Sequence, residues 1–357
     1  MTRLLLITID YPPKRGGVAR YLQEMAEYFG EQMTVVTDGL LFENFWPQWL
    51  RAFGSLFRRR NSYDILIVSH VLPLGLVALI NRRLWHKPYV VILHGMDFAL
   101  ARRNGWKQNL TRRILAEADL VVTNTESLAR EVLGFVRPKA LQTVYPSLSE
   151  GFIAAAESFQ RDQSIALQAA HPTTHFLTVA RLVARKGHAH VLDALAQLKS
   201  EHRLGPFDYT IVGSGPLASE LKGHTRVLGL ENEVHFVEQA DDAQLISEYQ
   251  AADVFVMPTE HLGKDIEGFG TVYIEAAAFG LPSIASDLQG VDEAVIDKQT
   301  GLLIPSSSVA DLCEALERLA ADPILRWRLG LAGRERAISQ FTADKQFSKL
   351  NFRPISV

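Results

Sequence analysis

The chain has 357 residues, 47% of them apolar and 22% charged, with a formal net charge of −3. That length is too great for one ordinary core and suits two, and the composition excludes a disordered chain. A single cysteine, Cys313, excludes an internal disulfide and fits a reducing compartment.

In chain order, the first element is "RLLLITI", a buried strand that ends at Asp10, Tyr11 and two prolines. It is too short for the core of a signal peptide. "DYPPKRGGVARYL" follows, and Gly16 and Gly17 open a helix at the strand's carboxyl end. A ligand-facing loop and a simple capping turn both fit that pair. After the strand "MTVVT" comes "FWPQWLRAFGSLFRRR", residues 45 to 60, which starts near Pro47. On a helix, Trp46, Trp49, Leu50, Phe53, Leu56 and Phe57 share one face ahead of Arg58 to Arg60. The pattern fits an interfacial helix and equally a helix packed on the first sheet.

"DILIVSH", "YVVILHG", "DLVVTNT" and "ALQTVYP" read as further parallel strands, with helices such as "ESLAREVLGF" between them. "ILHGMD" places His94 and Asp97 just past a strand, where a histidine can serve structure or function. The longest apolar run, "VLPLGLVALI", is about half a membrane span. A soluble, cytoplasmic protein is expected, at most peripheral on the inner face of a membrane.

Charge is uneven. Residues 1 to 165 hold 20 Lys and Arg against 15 Asp and Glu, and residues 51 to 113 hold 12 against 2. An anionic partner follows. No zinc-finger spacing or helix-turn-helix pattern accompanies the surplus, so a membrane surface or an anionic acceptor is expected and nucleic acid is not.

Residues 150 to 172 carry no strand signal, and the pattern then restarts with "HFLTVARL", "DYTIVGSG", "EVHFVE", "DVFVMPT", "LPSIASD" and "GLLIP". The fold class is therefore α/β: two Rossmann-like, doubly wound domains, over 1–160 and 161–340, facing a central cleft. Three stretches of the second half sit where such sheets bind ligands. In "VARLVARKG", Arg181 follows a strand and Lys186 precedes a helix; the pair can neutralise a diphosphate, or be a solvated loop. In "IVGSGPLA", Gly213, Gly215 and Ala218 match the dinucleotide fingerprint, with Glu238 at the end of the next strand. A dinucleotide-dependent oxidoreductase is thus the alternative from another class. Against it, the motif follows the second strand of its half and Pro216 fills the first helical turn, so a tight turn is the better reading.

The third stretch is "DIEGFGTVYIEAAAFGLPSIAS", with Glu267 and Glu275 eight positions apart. Gly268 and Gly270 leave the backbone N–H groups of a helix start open to an anion. Glu275, the fifth helical residue, leans back toward that end. Two carboxylates beside a phosphate site are tolerable if hydroxyls donate to them, which a ribose and a sugar do. The pair also fits a plain helix position and an N-terminal helix acid. No Asp-x-Asp and no His or Cys cluster with metal spacing is present, so no metal and no other cofactor is expected.

Together the glycine pair, "HGMD", "ARLVARKG", "IVGSGP", "ADVFVMPT", "EGFGTVYIEAAAFGLPSIAS" and "GLLIP" resemble family four of the retaining glycosyltransferases, which have the GT-B fold, over nearly the whole chain. The resemblance implies a metal-independent hexosyltransferase using a nucleotide-sugar donor. It implies that Arg181 and Lys186 hold the diphosphate, with the N–H groups of Gly17, Thr271 and Val272 nearby and Gly16 in the same loop. Glu275 would bind the ribose. Glu267 and the backbone of Gly268, Phe269 and Gly270 would hold the sugar, and His94 would contact it near the reacting carbon. It further implies a last helix, about 341–357, that returns to the first domain. Where the family often has Pro-Asn-Gly-x-Asp, this chain has Pro146, Ser147 and Leu148. The long loop "TEHLGKDIEGFG" is similar to that of enzymes that mannosylate phosphatidylinositol-type lipids. Mannose from GDP-mannose is the favoured donor group, a UDP-hexose the alternative, and a glycan or lipid-linked molecule the acceptor.

Overall fold

The computed structural model describes residues 2–14, 16–37, 49–159, 173–260 and 268–352. Two compact units divide the chain: residues up to Ser147 together with those from Ala343 on, and Leu148–Thr342.

The first unit is built on a six-stranded, wholly parallel sheet. Its strands are β1 (Leu4–Ile7), β2 (Met33–Val36), β3 (Ile65–Ser69), β4 (Tyr89–Leu93), β5 (Leu120–Thr123) and β6 (Leu141–Thr143), in the order β2-β1-β3-β4-β5-β6. Leu4 lies beside Ile65 and Leu5 beside Leu66. Side chains alternate between faces, and both faces are apolar. Leu5, Ile7, Leu66, Val68, Val91 and Leu93 enter one core; Leu4, Leu6, Ile65, Ile67, Val90 and Ile92 enter the other. This is why the strands read as unbroken apolar runs.

Helix Leu50–Arg59 buries Ala52, Ser55 and Leu56, and Phe53 stacks on Trp85 with ring centroids 5.7 Å apart. Of the two readings of this segment, packing on the sheet therefore holds for its inner face. Leu50 and Phe57 stay 38% and 51% exposed. Trp46 and Pro47 lie outside the described residues. Among the described residues no helix is long and apolar enough to cross a membrane.

The second unit carries β7 (Thr174–Val179), β8 (Phe207–Val212), β9 (Val234–Val237), β10 (Val254–Met257), β11 (Ser283–Ser286) and β12 (Gly301–Ile304), all parallel, in the order β12-β11-β10-β7-β8-β9. This is the doubly wound order, with its switch point between β7 and β10. In the first sheet the switch falls between β1 and β3. All twelve strands coincide with runs read as strands from the sequence.

The boundary differs from the expected residue 160. Helix Glu150–Ser158 belongs to the second unit: Phe152 meets Tyr249 and Phe279, each at 6.0 Å between ring centroids, and the Arg334 guanidinium donates to the carbonyls of Phe159 (2.6 Å) and Ala156 (2.7 Å). The last helix is also shorter than expected, Ala343–Phe347. Phe347 packs on Tyr21 at 5.6 Å, and the Tyr145 N–H donates to Gln346 Oε1 at 2.9 Å.

Candidate active site

In the second unit the unusual residues gather at the carboxyl ends of β7 and β10, on either side of the switch point. Three contacts lock the β7 loop there. The Ala180 N–H donates to the Val212 carbonyl at 3.0 Å, Leu182 N–H to Ser214 at 3.0 Å, and Leu217 N–H back to Leu182 at 3.1 Å. Gly213 and Gly215 make this possible. A Cβ at Gly213 would overlap the Ala180 carbonyl oxygen, and one at Gly215 would sit 2.7 Å from the Leu182 nitrogen. The fingerprint glycines are thus covered by the neighbouring loop, and the tight-turn reading describes them.

Arg181 is exposed, and its carbonyl oxygen lies 3.2 Å from His188 Nε2. Burial pushes the His188 pKa down to about 4, so the neutral ring donates this bond. Lys186 is buried in a short 3-10 turn, Ala184–Lys186, that ends at Gly187 in the left-handed region, φ +72°. A Cβ at Gly187 would overlap the Pro258 carbonyl, and the Glu260 N–H donates to Arg185 O at 2.8 Å. The basic loop is therefore pressed against the chain leaving β10. His190 pairs closely with Glu260 on the same seam.

That chain leads to helix Thr271–Ala278. Its N-cap is Gly270, with φ 77° and ψ 74°, no side chain caps it, and its first turn carries no acidic residue. Such an end attracts anions through unpaired N–H groups and the helix dipole. Gly268, Gly270, Thr271 and Val272 are half-buried. Phe269 is different: the whole residue is 2% exposed, and its ring packs on Phe341 at 5.4 Å. Glu275 is buried, and the Tyr249 hydroxyl donates to its Oε2 at 2.9 Å. Tyr249 itself stacks on Phe279 with centroids 5.7 Å apart. The carboxylate is thus held by a rigid aromatic wall. Glu267 lies outside the described residues.

In the first unit, Gly16 and Gly17 are exposed at the start of helix Gly17–Phe29, with open space where a Cβ would stand. His94 follows β4. Its N–H donates to Asp97 Oδ1 at 2.9 Å, and its ring meets Tyr21 edge-on at 5.7 Å. Burial holds its pKa down to about 4 against the opposing charge of Asp97. Sequence reasoning missed what lies behind it. His94 Nε2 is 3.0 Å from Ser69 Oγ, Ser69 Oγ is 3.1 Å from His70 Nδ1, and His70 Nε2 is 3.1 Å from Asp10 Oδ2. These three residues end β1 and β3, the strands that flank the first switch point.

Two Rossmann-like domains of this kind, the second carrying a cationic loop and an uncapped helix start, have the GT-B architecture. Residues 159–336 match the family described as glycosyl transferases group 1, and residues 35–147 match a glycosyl transferase 4-like domain. The chain belongs to this glycosyltransferase family. It is 31% identical over 333 residues to a D-inositol 3-phosphate glycosyltransferase of Streptomyces bingchenggensis, covering 86% of this chain and 71% of that one. It is 28% identical over 377 residues to a GDP-mannose-dependent alpha-(1-6)-phosphatidylinositol monomannoside mannosyltransferase of Mycolicibacterium smegmatis, covering 95% and 94%. A sucrose-phosphate synthase from Thermosynechococcus elongatus has a similar structure, with TM-score 0.78, 22% identity and coverage of 98% and 97%.

Proposed function

We propose that the protein moves a hexose, mannose from GDP-mannose in the first instance, onto a glycan or lipid-linked acceptor, with retention at the sugar carbon and without a metal. The observation that carries this is that one domain holds both the basic loop of Arg181 and Lys186, packed on the chain leaving β10, and an uncapped helix start at Thr271 with Glu275 buried in the same helix. Two cations and a helix end supply positive potential where a leaving diphosphate develops charge. Glu275 accepts from ribose hydroxyls, Glu267 and the 268–270 backbone face the sugar, and His94 contacts it near the reacting carbon. The acceptor hydroxyl attacks from the side on which the diphosphate leaves. The C–O bond to the diphosphate breaks as the bond to the acceptor oxygen forms, and the departing phosphate oxygen takes the acceptor's proton. The mannosyltransferase likeness over almost the full chain supports the choice of sugar.

The test runs GDP-mannose, UDP-glucose and NADH in separate arms. GDP-mannose at one hundred times its Kd should raise the Tm of the second domain by about 5–10 °C. Transfer to a phosphatidylinositol-type acceptor should give an α-linked product at a rate unchanged by EDTA. Activity that vanishes with EDTA and returns with magnesium or manganese overturns the metal-free reading. Stabilisation by NADH alone overturns the reaction class.

A peripheral position on the inner membrane face fits the same reading. Phe57 is exposed beside Trp85, and the Arg60 guanidinium lies 4.8 Å over the Phe57 ring. An apolar tip rimmed by arginines suits a headgroup layer with anionic lipid. Changing Leu50 and Phe57 to serine should weaken binding to phosphatidylinositol-containing liposomes roughly tenfold, while the melting temperature holds. Unchanged sedimentation with the liposomes removes the membrane from the proposal.

A further inference from the structure

His94 is the group proposed to touch the donor sugar, and what it presents there depends on which ring nitrogen carries hydrogen. The described hydrogen bond of its ring uses Nε2 alone, with Ser69. A hydroxyl is both donor and acceptor, so Ser69 passes on whatever state it meets at His70. We propose that Asp10, His70 and Ser69 form a relay that sets the tautomer of His94, so that Nδ1 of His94 is an acceptor when His70 is neutral and a donor when His70 is charged. The proposal rests on the reading of His94 as a sugar contact; Asp10, His70 and Ser69 are positioning residues that act through it.

The hydrogen positions follow from the geometry. With His70 neutral, its one N–H faces Asp10 from Nε2, 3.1 Å away. Nδ1 is then bare and accepts from the Ser69 hydroxyl, whose oxygen accepts from His94 Nε2–H. His94 is left with a bare Nδ1. One proton taken up charges His70: it enters at His94 Nδ1, the Nε2 hydrogen of His94 passes to Ser69 Oγ, and the Ser69 hydrogen passes to His70 Nδ1, so that His70 Nδ1–H donates to Ser69 Oγ and the new hydroxyl hydrogen faces the bare His94 Nε2. Each state uses the same three separations, 3.1, 3.1 and 3.0 Å, so no side chain needs to move.

All the charged groups around the relay bear on its midpoint. Burial alone would lower the His70 pKa, but the hydrogen bond to Asp10 and the charges of Asp97 and Asp10 outweigh it and raise the pKa above the ordinary histidine value. Lys14 sits 3.7 Å from Asp10 on the solvent side, and Tyr21 covers His94 from the first helix. Asp97 Oδ2 also accepts from the Val71 N–H at 3.3 Å, which ties the loop after β3 to the loop after β4. His94 stays neutral throughout, since its own pKa is held near 4. The exchange therefore falls above the ordinary histidine midpoint.

The experiment is long-range 1H–15N NMR of the histidine rings in the full-length protein, titrated across neutrality. His94 should change from the Nε2–H to the Nδ1–H tautomer as His70 gains its proton. Asp10→Asn should move that midpoint down by about one pH unit. Ser69→Ala should leave His70 titrating and stop the tautomer of His94 from following it. A His94 tautomer that ignores the His70 titration, or a midpoint untouched by Asp10→Asn in a folded variant, overturns the relay. Transfer rates on the same samples separate the two layers. A tautomer change with no inflection in kcat keeps the relay and removes His94 from the sugar site.

Discussion

Glu275→Ala is expected to weaken binding of the sugar donor and of the free nucleoside diphosphate alike, by about 10- to 150-fold. The range is that of one or more hydrogen bonds to a charged group, roughly 1.5–3 kcal/mol. The ribose is common to donor and product, so a ribose contact must affect both. The buried position of Glu275 and its bond from Tyr249 fix the carboxylate in advance, which spares the ligand the cost of ordering it. Glu275→Gln keeps an oxygen for the Tyr249 hydroxyl and isolates the loss of charge. Glu267→Ala should behave differently. If Glu267 faces only the sugar, where charge develops as the glycosidic bond breaks, kcat falls and product affinity holds. Calorimetry with the free diphosphate beside initial rates decides the matter. Equal losses of diphosphate affinity in both variants would refute this division of roles.

Gly213→Ala should cost the second domain about 3–5 kcal/mol. Two causes add. The backbone there has φ +144°, which L-residues avoid, and the new methyl would overlap the Ala180 carbonyl. Gly215→Ala separates them, because only the overlap with Leu182 applies; it should cost about 1–3 kcal/mol. In denaturant melts followed by tryptophan fluorescence or circular dichroism, both midpoints should fall, Gly213→Ala further. Arg181 sits between the two displaced residues, so donor affinity should fall with them. Unchanged stability in both variants would mean that the loops separate freely, and the fingerprint glycines would then again be open to a dinucleotide.

The contrast between these letters and their role explains what the sequence reveals and what it conceals. Strands buried on both faces are legible because nothing polar interrupts them, as in "ILIVS" and "YVVIL". The helix start at Gly270 is legible because a left-handed cap favours glycine. Gly213 and Gly215 are ambiguous, since a glycine that admits a phosphate and one that admits a neighbouring carbonyl look the same. The helix at 50–59 is ambiguous for a like reason: an amphipathic stripe does not say whether sheet or lipid covers it. The partner of His70 is Asp10, sixty residues away, and that of Glu275 is Tyr249; neither pairing has a local pattern. The strand-end rule that singled out His94 would have singled out Ser69 and His70 too, had it been applied to β3. The domain boundary was hidden because helix Glu150–Ser158 takes its side from Arg334, far along the chain.

The return of the residues after Thr342 to the first unit has a consequence for synthesis. Phe347 and Leu350 complete the core patch around Tyr21, Leu22 and Met25. During translation that patch stays open to water until residues 347–350 have been made. The second unit, contiguous from Leu148 to Thr342, has all of its own core by then. Vectorial synthesis usually lets the amino-terminal domain finish first. Here that order is reversed between the two units: the first is sealed only after every residue of the second has been made, so synthesis halted between Thr342 and Phe347 leaves the second core whole and the first one open.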